Sequence, residues 1–169
     1  MNNILKNVLP PLVNQQTKVM IIGSMPGVQS LEKAQYYGHP RNHFWPIIAQ
    51  IVNEEVPEQY EQRLIWLKRH RIGLWDAIQS CEREGSLDTK IKNEVPNDFV
   101  WLFATYPQIE AIFFNGTKAQ AVFKKHLGFS ILQHRFYTQL PSSSPVPGKY
   151  NKTFDEKVVL WRAITPYLQ

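Results

Sequence analysis

The sequence predicts an α/β protein: a single domain over residues 1–169 in which a short, mostly parallel sheet lies between two layers of helices. Short apolar runs alternate with amphipathic segments along the chain, which is typical of a parallel sheet covered on both faces. A chain of 169 residues fits one domain with a real core. No repeat and no low-complexity tail interrupts this alternation.

The predicted strands are short apolar runs closed by turn-forming or polar residues. They are Lys18–Gly23, Ile72–Ala77, Ile109–Phe114 and, as a fourth candidate, Arg135–Leu140. The predicted helices have apolar residues at helical spacing or clear start and stop signals. They are Asn42–Val52, Gln59–Arg71, Asp98–Tyr106, one that begins at Thr117 and one from Thr153 to about Leu168. Thr117–Gln120 and Thr153–Glu156 have capping-box spacing, and the polar stretch Glu82–Asn93 is predicted to be loop.

Composition and charge narrow the function classes. The net charge is +5 and the isoelectric point about 9.3, which favours a polyanionic partner such as nucleic acid. No apolar run approaches the roughly 20 residues that cross a bilayer, and the N-terminus lacks the features of a signal peptide. Cys81 is the only cysteine, which excludes a disulfide framework and suits a reducing cytosol. We therefore expect a cytoplasmic protein without a membrane partner.

The first loop that follows a predicted strand, Gly23 to Trp45, reads GSMPGVQSLEKAQYYGHPRNHFW. Ligands of parallel sheets bind outside the carboxyl ends of the strands, so such loops are where function is expected. Glycines allow close backbone approach, and free N–H groups can hold a phosphate or a carbonyl oxygen. The alternative is a plain strand–turn–helix connection in which Asn42 caps the helix.

The other three loops also carry candidates. Asp76 follows a buried strand, and Asn115-Gly116 with Lys118 precedes a helix whose N-terminus suits a phosphate. The stretch LPSSSPVP is stiff and rich in hydroxyl and N–H groups that can grip a backbone phosphate. The alternatives are a helix cap or surface acid at Asp76, a simple turn, and a solvated linker.

Metal and cofactor sites are not predicted. The five histidines show no metal-ligand spacing with cysteine or paired acids. Neither a dinucleotide-binding GxGxxG motif nor a Walker motif is present. The small-molecule α/β enzyme, a further alternative, therefore has no cofactor motif to support it.

Two motifs, GSMPG followed by YYGHPRNHFW, and LPSSSP, resemble those of the uracil-DNA glycosylase superfamily. Together with IGLWDAIQSCEREGSLD and FNGTKA they look most like the DNA-deoxyinosine (hypoxanthine-DNA) glycosylase branch, related to the mismatch-specific uracil and thymine glycosylases. The resemblance covers about Lys18 to Pro147. It implies a short four-stranded parallel sheet between helices. It also implies a monofunctional enzyme that flips a damaged nucleotide out of DNA and hydrolyses its N-glycosidic bond.

Two departures from the superfamily bear on the substrate. Met25 stands where the uracil enzymes of the superfamily carry an Asp or Asn that handles water. Leu140 stands where the strongest uracil enzymes have a histidine that stabilises the departing base. Both departures argue against an efficient uracil enzyme and shift the expected catalytic role to Asn42, which the deoxyinosine branch also carries in its PRNxFW segment.

The resemblance implies roles for the residues of the base pocket. Tyr37 is expected to stack on the flipped base, and an ionised Asp76 to accept a hydrogen bond from hypoxanthine N1–H while repelling the N1 lone pair of adenine. Uracil N3–H satisfies the same acceptor, so Asp76 alone does not exclude uracil. The remaining base-binding candidates are expected to line the same pocket. They are Gly23, Ser24, Met25 and Asn115.

A second group of residues is expected to hold the DNA backbone. The phosphate-gripping candidates are Gly116, Lys118, Ser142, Ser143 and Ser144, and Pro145 with Val146 form a candidate wedge for the vacated stack. A monomer is expected, because DNA needs free access to one face. Uracil, xanthine or mismatch specificity and a catalytically inactive nucleic-acid binder remain alternatives to the leading hypothesis of hypoxanthine excision.

Overall fold

The structure, a computed structural model, describes residues 4–145 and 152–169. Within these residues the strands are β1 (Ile4–Lys6), β2 (Val19–Gly23), β3 (Ile72–Asp76), β4 (Ile78–Glu82), β5 (Lys92–Pro96), β6 (Ala111–Asn115) and β7 (Phe136–Leu140). The α-helices are α1 (Val28–Lys33), α2 (Phe44–Val52), α3 (Tyr60–Arg69), α4 (Phe99–Thr105), α5 (Thr117–His126) and α6 (Phe154–Trp161). Short 3-10 helices cover Asp88–Lys90, Phe129–Leu132 and Arg162–Leu168.

A four-stranded parallel sheet in the order β3-β2-β6-β7 forms the centre of the molecule. Successive residues of β2 face opposite sides, as the pleat requires. Val19 and Ile21 join a core with α2, α3 and α6, whereas Met20 and Ile22 join a second core with α4 and α5. The predicted α/β class, with four parallel strands between two helical layers, is confirmed.

The predicted strands all form, with ends that differ from the prediction by at most two residues. The capping box of the last helix is confirmed, because the Thr153 hydroxyl accepts from Glu156 N–H and the Glu156 carboxylate accepts from Thr153 N–H. That helix is α-helical only to Trp161 and continues as the 3-10 turn to Leu168.

Two local predictions are wrong. The helix α5 has no capping box at Thr117, because Gly116 is its N-cap and makes no side-chain cap bond, while the Thr117 hydroxyl accepts from Gln139 instead. The stretch Glu82–Asn93 is not all loop, because its ends belong to β4 and β5, which pair with each other in a small antiparallel sheet whose third strand, β1, pairs with β4. These strands are polar and partly exposed, so they lack the continuous apolar run of the central strands.

The strand register aligns the four carboxyl ends at one edge of the parallel sheet. Gly23 of β2 is opposite Asp76 of β3, and Asn115 of β6 is opposite Leu140 of β7. The four loops of interest therefore start next to one another. Among the described residues, no helix has both the length and the apolar character that crossing a bilayer requires.

Candidate active site

A cleft of about 610 Å³ opens at this edge of the sheet. It is lined by residues from all four of the loops that follow the parallel strands. The sequence-predicted residues among its lining are Gly23, Ser24, Met25, Tyr37, Asn42, Asp76, Asn115, Ser142, Ser143, Ser144 and Pro145. The fold therefore brings together residues from distant parts of the chain.

Asp76 is a buried acid at the base of the cleft, with 5% of its surface exposed. Burial raises the pKa of its carboxyl from 3.8 to about 6, and the nearby Asp88 carboxylate adds to this rise, whereas a hydrogen bond from Asn7 opposes it. The Asn7 amide donates to Asp76 Oδ2 at 3.0 Å. Asp76 Oδ1 has no hydrogen-bond donor among the described residues.

Gly23 provides the space that Asp76 needs. A Cβ atom at position 23 would overlap Asp76 Oδ1 and lie 3.6 Å from the Tyr37 hydroxyl. Because an overlap with a buried carboxylate cannot be relieved cheaply, glycine is required here for packing rather than for its backbone angles. The sequence predicted a glycine that permits close approach at this position, and the group that approaches is the Asp76 side chain of the neighbouring strand β3.

Tyr37 presents an aromatic ring to the cleft from a left-handed backbone conformation with φ of 55°. Its ring stacks on Phe44, with the ring centroids 4.1 Å apart and the planes at 19°. Its hydroxyl accepts a hydrogen bond from the Asn115 amide at 3.1 Å. Burial and the Asp76 charge raise the pKa of the Tyr37 phenol, so the side chain is neutral at physiological pH. Such a residue is held rigidly in a strained conformation, which is common at binding sites.

Asn115 joins β6 to the serine-rich loop. Its Nδ2 donates to Ser143 Oγ at 2.9 Å, and its Oδ1 accepts from Ser143 N–H at 2.9 Å. The Ser143 carbonyl in turn accepts from His43 N–H at 2.9 Å. Ser143 is only 1% exposed, so its polar groups are used inside the protein and fix the loop against the sheet and the start of α2.

A buried lysine supports the same loop from behind. Lys157 of α6 is 1% exposed, and its Nζ lies 3.1 Å from His43 Nδ1 and 3.4 Å from the Ser144 carbonyl oxygen. Desolvation by burial and the Lys157 charge both lower the pKa of His43. His43 is therefore a neutral acceptor towards Lys157. No local sequence pattern pointed to Lys157, since its importance depends on a contact 114 residues away.

Asn42 lies just before α2 and faces the cleft. Its Oδ1 accepts from Phe44 N–H at 2.9 Å, so the side chain does cap the first helical residue, although His43 is the residue that directly precedes the helix. Its Nδ2 has no hydrogen-bond acceptor among the described residues. Asn42 thus serves the helix with its oxygen and keeps its amide hydrogens for another partner.

The remaining predicted residues occupy different positions around the cleft. Met25 is buried and lines it, whereas Lys118 is partly exposed on the first turn of α5 and lies outside the lining. Gly116 has φ of 97°, and a Cβ atom at this position would lie 3.2 Å from Ser142 Cβ, so the glycine makes room for the serine-rich loop from outside the lining. The proposed wedge residue Val146 lies outside the described residues.

One wall of the cleft was missed by the sequence reading. The segment between β4 and β5 makes three hydrogen bonds to the first loop: Ser24 Oγ donates to Asp88 Oδ1, Val28 N–H donates to Ser86 Oγ, and Arg83 Nη2 donates to the Pro26 carbonyl. Burial raises the pKa of the Asp88 carboxyl, whereas the hydrogen bond from Ser24 and the positive charges of Arg83 and Lys118 lower it. The stretch IGLWDAIQSCEREGSLD contributes to the family resemblance, but its serine, glycine and aspartate content is ordinary for a turn, so the segment was predicted to be loop and was assigned no site residue.

In the part of the chain that the structure describes, no three His, Cys, Asp or Glu side chains gather in a way that could bind a metal ion. The chemistry available in the cleft is therefore that of amides, hydroxyls, a buried carboxylate and a stacked aromatic ring. This set suits the binding of a planar heterocycle with an N–H group.

Comparison with known proteins agrees with this geometry. A protein from Methanosarcina acetivorans named hypoxanthine DNA glycosylase is 35% identical over 164 residues, which are 95% of this chain and 98% of that protein. A protein of the same name from Methanosarcina barkeri is 44% identical over 115 residues, 68% of this chain and 73% of that protein. A solution NMR structure from M. acetivorans, provisionally assigned as a uracil DNA glycosylase, superposes with a TM-score of 0.80 at 36% identity and covers 98% of both chains. The sequence pattern of the uracil DNA glycosylase superfamily matches residues 10–165, and this chain belongs to that superfamily.

Proposed function

We propose that this protein is a DNA glycosylase that flips deoxyinosine out of DNA, hydrolyses its N-glycosidic bond and releases hypoxanthine. The observation that carries the proposal is the buried Asp76 carboxylate, whose Oδ1 has no donor among the described residues. Hypoxanthine N1–H supplies such a donor, and adenine, with a lone pair at N1, does not. The names of the two Methanosarcina relatives support the same substrate.

Tyr37 is the proposed stacking partner of the flipped base. Phe44 stacks on its ring, so Tyr37 is held as a rigid platform at the cleft. Base–aromatic stacking contributes roughly 1–3 kcal/mol per base and does not depend on which base it is. Tyr37 therefore contributes affinity, and Asp76 contributes the choice of base.

Asn42 is the proposed catalytic residue. In the reaction the C1′–N9 bond breaks and its electron pair leaves with the base, water adds to the oxocarbenium-like C1′ and loses a proton, and the departing base takes up one proton to leave as neutral hypoxanthine. The Nδ2 group of Asn42 faces the cleft without a partner among the described residues and can hold that water or the flipped nucleotide. Orientation and electrostatic stabilisation can support such a dissociative reaction without a strong base.

The serine-rich loop is the proposed grip on the DNA backbone. Ser142 Oγ accepts from Ser144 N–H, which leaves the hydroxyl hydrogen of Ser142 to donate to a phosphate. Lys118 adds charge beside this loop, and the first turn of α5 after Gly116 adds backbone N–H groups, since the Gly116 N–H itself donates to the carbonyls of Phe114 and Leu140. Ser143 acts through its bonds to Asn115, and Pro145 with Val146 provides the wedge.

Two other functions are weaker. Uracil N3–H would also satisfy Asp76, but Met25 offers no water-handling group and Leu140 is 3% exposed within the core. An inactive DNA binder would have no need for a buried carboxylate that faces a pocket, since burying such a charge is unfavourable. We further propose that the protein acts as a monomer on DNA in the cytoplasm, without a metal or an organic cofactor.

The test uses purified protein and labelled duplexes that contain one inosine, uracil, xanthine or normal base pair, with alkali to reveal abasic sites. We expect cleavage of the inosine duplex as the fastest reaction, with no effect of EDTA. Cleavage of uracil with inosine untouched would overturn the substrate assignment. Binding without cleavage of any duplex would favour the inactive binder.

A further inference from the structure

Recognition of N1–H by Asp76, which is part of the proposed function, leaves one selectivity problem. Guanine carries the same N1–H and O6 groups as hypoxanthine and differs only by an amino group at C2. A carboxylate with two open oxygens would accept from both N1–H and the amino group of guanine, and so would favour the normal base. A glycosylase with that preference would damage DNA, so another group must act at the C2 side.

Asn7 is the group that the structure places against Asp76. Its Nδ2 donates to Asp76 Oδ2 at 3.0 Å and to the Ile78 carbonyl at 3.0 Å, and its Oδ1 accepts from Leu9 N–H at 2.9 Å. Its backbone N–H also donates to the Gln79 carbonyl at 2.8 Å. Two acceptors on one side and a donor on the other admit a single orientation of the amide.

The consequence for Asp76 is that its two oxygens are not equivalent. Oδ2 already accepts from Asn7, whereas Oδ1 lies over Gly23 without a donor among the described residues. When a base N1–H donates to Oδ1, the C2 position of the base lies towards Oδ2, because the opposite orientation would set O6 against a carboxylate oxygen. A C2 hydrogen is tolerated there, whereas a C2 amino group would have to compete with the Asn7 N–H for Oδ2.

We propose that Asn7 is the specificity-determining residue that restricts Asp76 to one N–H group and thereby rejects guanine. The inference rests on the proposed function and adds a residue outside every motif of the sequence. Leu9 extends the effect, since its backbone locks Asn7 while its side chain, 5% exposed, lines the cleft and offers the amino group no acceptor.

The hydrogen bond from Asn7 to Asp76 also predicts a change in the pH dependence of the reaction, which a general loss of structure would not produce. The groups that act electrostatically on Asp76 or respond to it are Asp88, Tyr36 and Tyr37, and Asn7 is the hydrogen-bond donor that lowers its pKa. Removal of the Asn7 amide should therefore shift the acid limb of the pH–rate profile to higher pH.

The experiment compares the full-length wild type with Asn7→Ala and with a matched control, Asn14→Ala. Asn14 accepts from Gln16 N–H and Thr17 in the same N-terminal segment but does not touch Asp76. Each protein is tested under single-turnover conditions on duplexes with inosine or guanosine opposite an abasic-site analogue, so that base-pair strength does not contribute. Asn7→Ser serves as the second variant if Asn7→Ala does not fold.

We expect Asn7→Ala to reduce the ratio of the hypoxanthine to the guanine excision rate at least tenfold and to move the acid limb upward, with neither change in Asn14→Ala. An unchanged ratio, or guanine excision that stays undetectable while hypoxanthine is still removed, overturns the inference and leaves the proposed function standing. Wild-type protein that leaves inosine intact overturns both.

Discussion

At the scale of single residues, the site is built from groups that are unfavourable for stability. Asp76 is 5% exposed, and its carboxylate receives one amide donor in place of its hydration shell. Tyr37 adopts a left-handed backbone, which is unfavourable for a bulky residue. Groups of this kind persist where binding or chemistry needs them.

Asp76→Asn should therefore stabilise the fold in a pH-dependent way. The folded pKa of about 6 lies above the ordinary 3.8, so ionisation of Asp76 destabilises the folded protein, increasingly from about pH 4 to pH 6 and constantly above. A shift of about two pKa units corresponds to roughly 3 kcal/mol. Urea unfolding should give a higher free energy for Asp76→Asn at pH 8 and nearly equal values for both proteins below pH 4. If the two proteins had equal free energies of unfolding at both pH values, the Asp76 carboxylate would not be a destabilising buried charge.

Two substitutions distinguish the proposed catalytic role of the Asn42 Nδ2 group from the capping role of its Oδ1 atom. Asn42→Asp keeps an oxygen for Phe44 N–H and removes the Nδ2 donor, whereas Asn42→Ala removes both. Unfolding should show a loss of about 1 kcal/mol for Asn42→Ala and little change for Asn42→Asp. Single-turnover excision of hypoxanthine should fall at least 100-fold in both, the usual scale for a lost catalytic group. Full activity of Asn42→Asp would assign the role to the oxygen instead.

At the scale of elements, the central strands could be predicted because they are continuous apolar runs, and the loops that follow them carry the site. The start of α2, the ends of β3 and β6 and the loop after β7 all contribute lining residues that the sequence indicated. The wall formed by the segment between β4 and β5 could not be predicted, since its strands are polar and its bonds to the first loop are long-range. The contact of Asn7 with Asp76 spans 69 residues and likewise left no local pattern.

The serine-rich loop gives a prediction that separates support from contact. Ser143→Ala removes the buried acceptor of the Asn115 amide and should lower the unfolding free energy by about 1–3 kcal/mol. Ser142→Ala, at a partly exposed position, should leave stability within about 0.5 kcal/mol and weaken DNA binding. Chemical denaturation and fluorescence anisotropy measure the two effects. If Ser143→Ala were as stable as wild type and lost as much DNA affinity as Ser142→Ala, the Ser143 hydroxyl would contact the DNA directly.

At the scale of the whole molecule, one sheet edge collects the N-terminal segment, the first loop and the three later strand ends into one cleft. The net charge of +5 suits a partner with a phosphate backbone and implies binding that weakens with salt. In our proposal, the choice of base depends on one buried oxygen of Asp76 rather than on the net charge of the protein.

The most direct test of this account is the single-turnover rate of hypoxanthine excision by wild type and Asp76→Asn at pH 7.5. In the variant, the Asn7 amide should hold the oxygen of the introduced carboxamide and turn the N–H group of that carboxamide towards the base, so that donor meets donor. We predict a loss of at least 100-fold in a protein that folds more stably than wild type. An unchanged rate in the folded variant would contradict the central claim that Asp76 reads hypoxanthine N1–H.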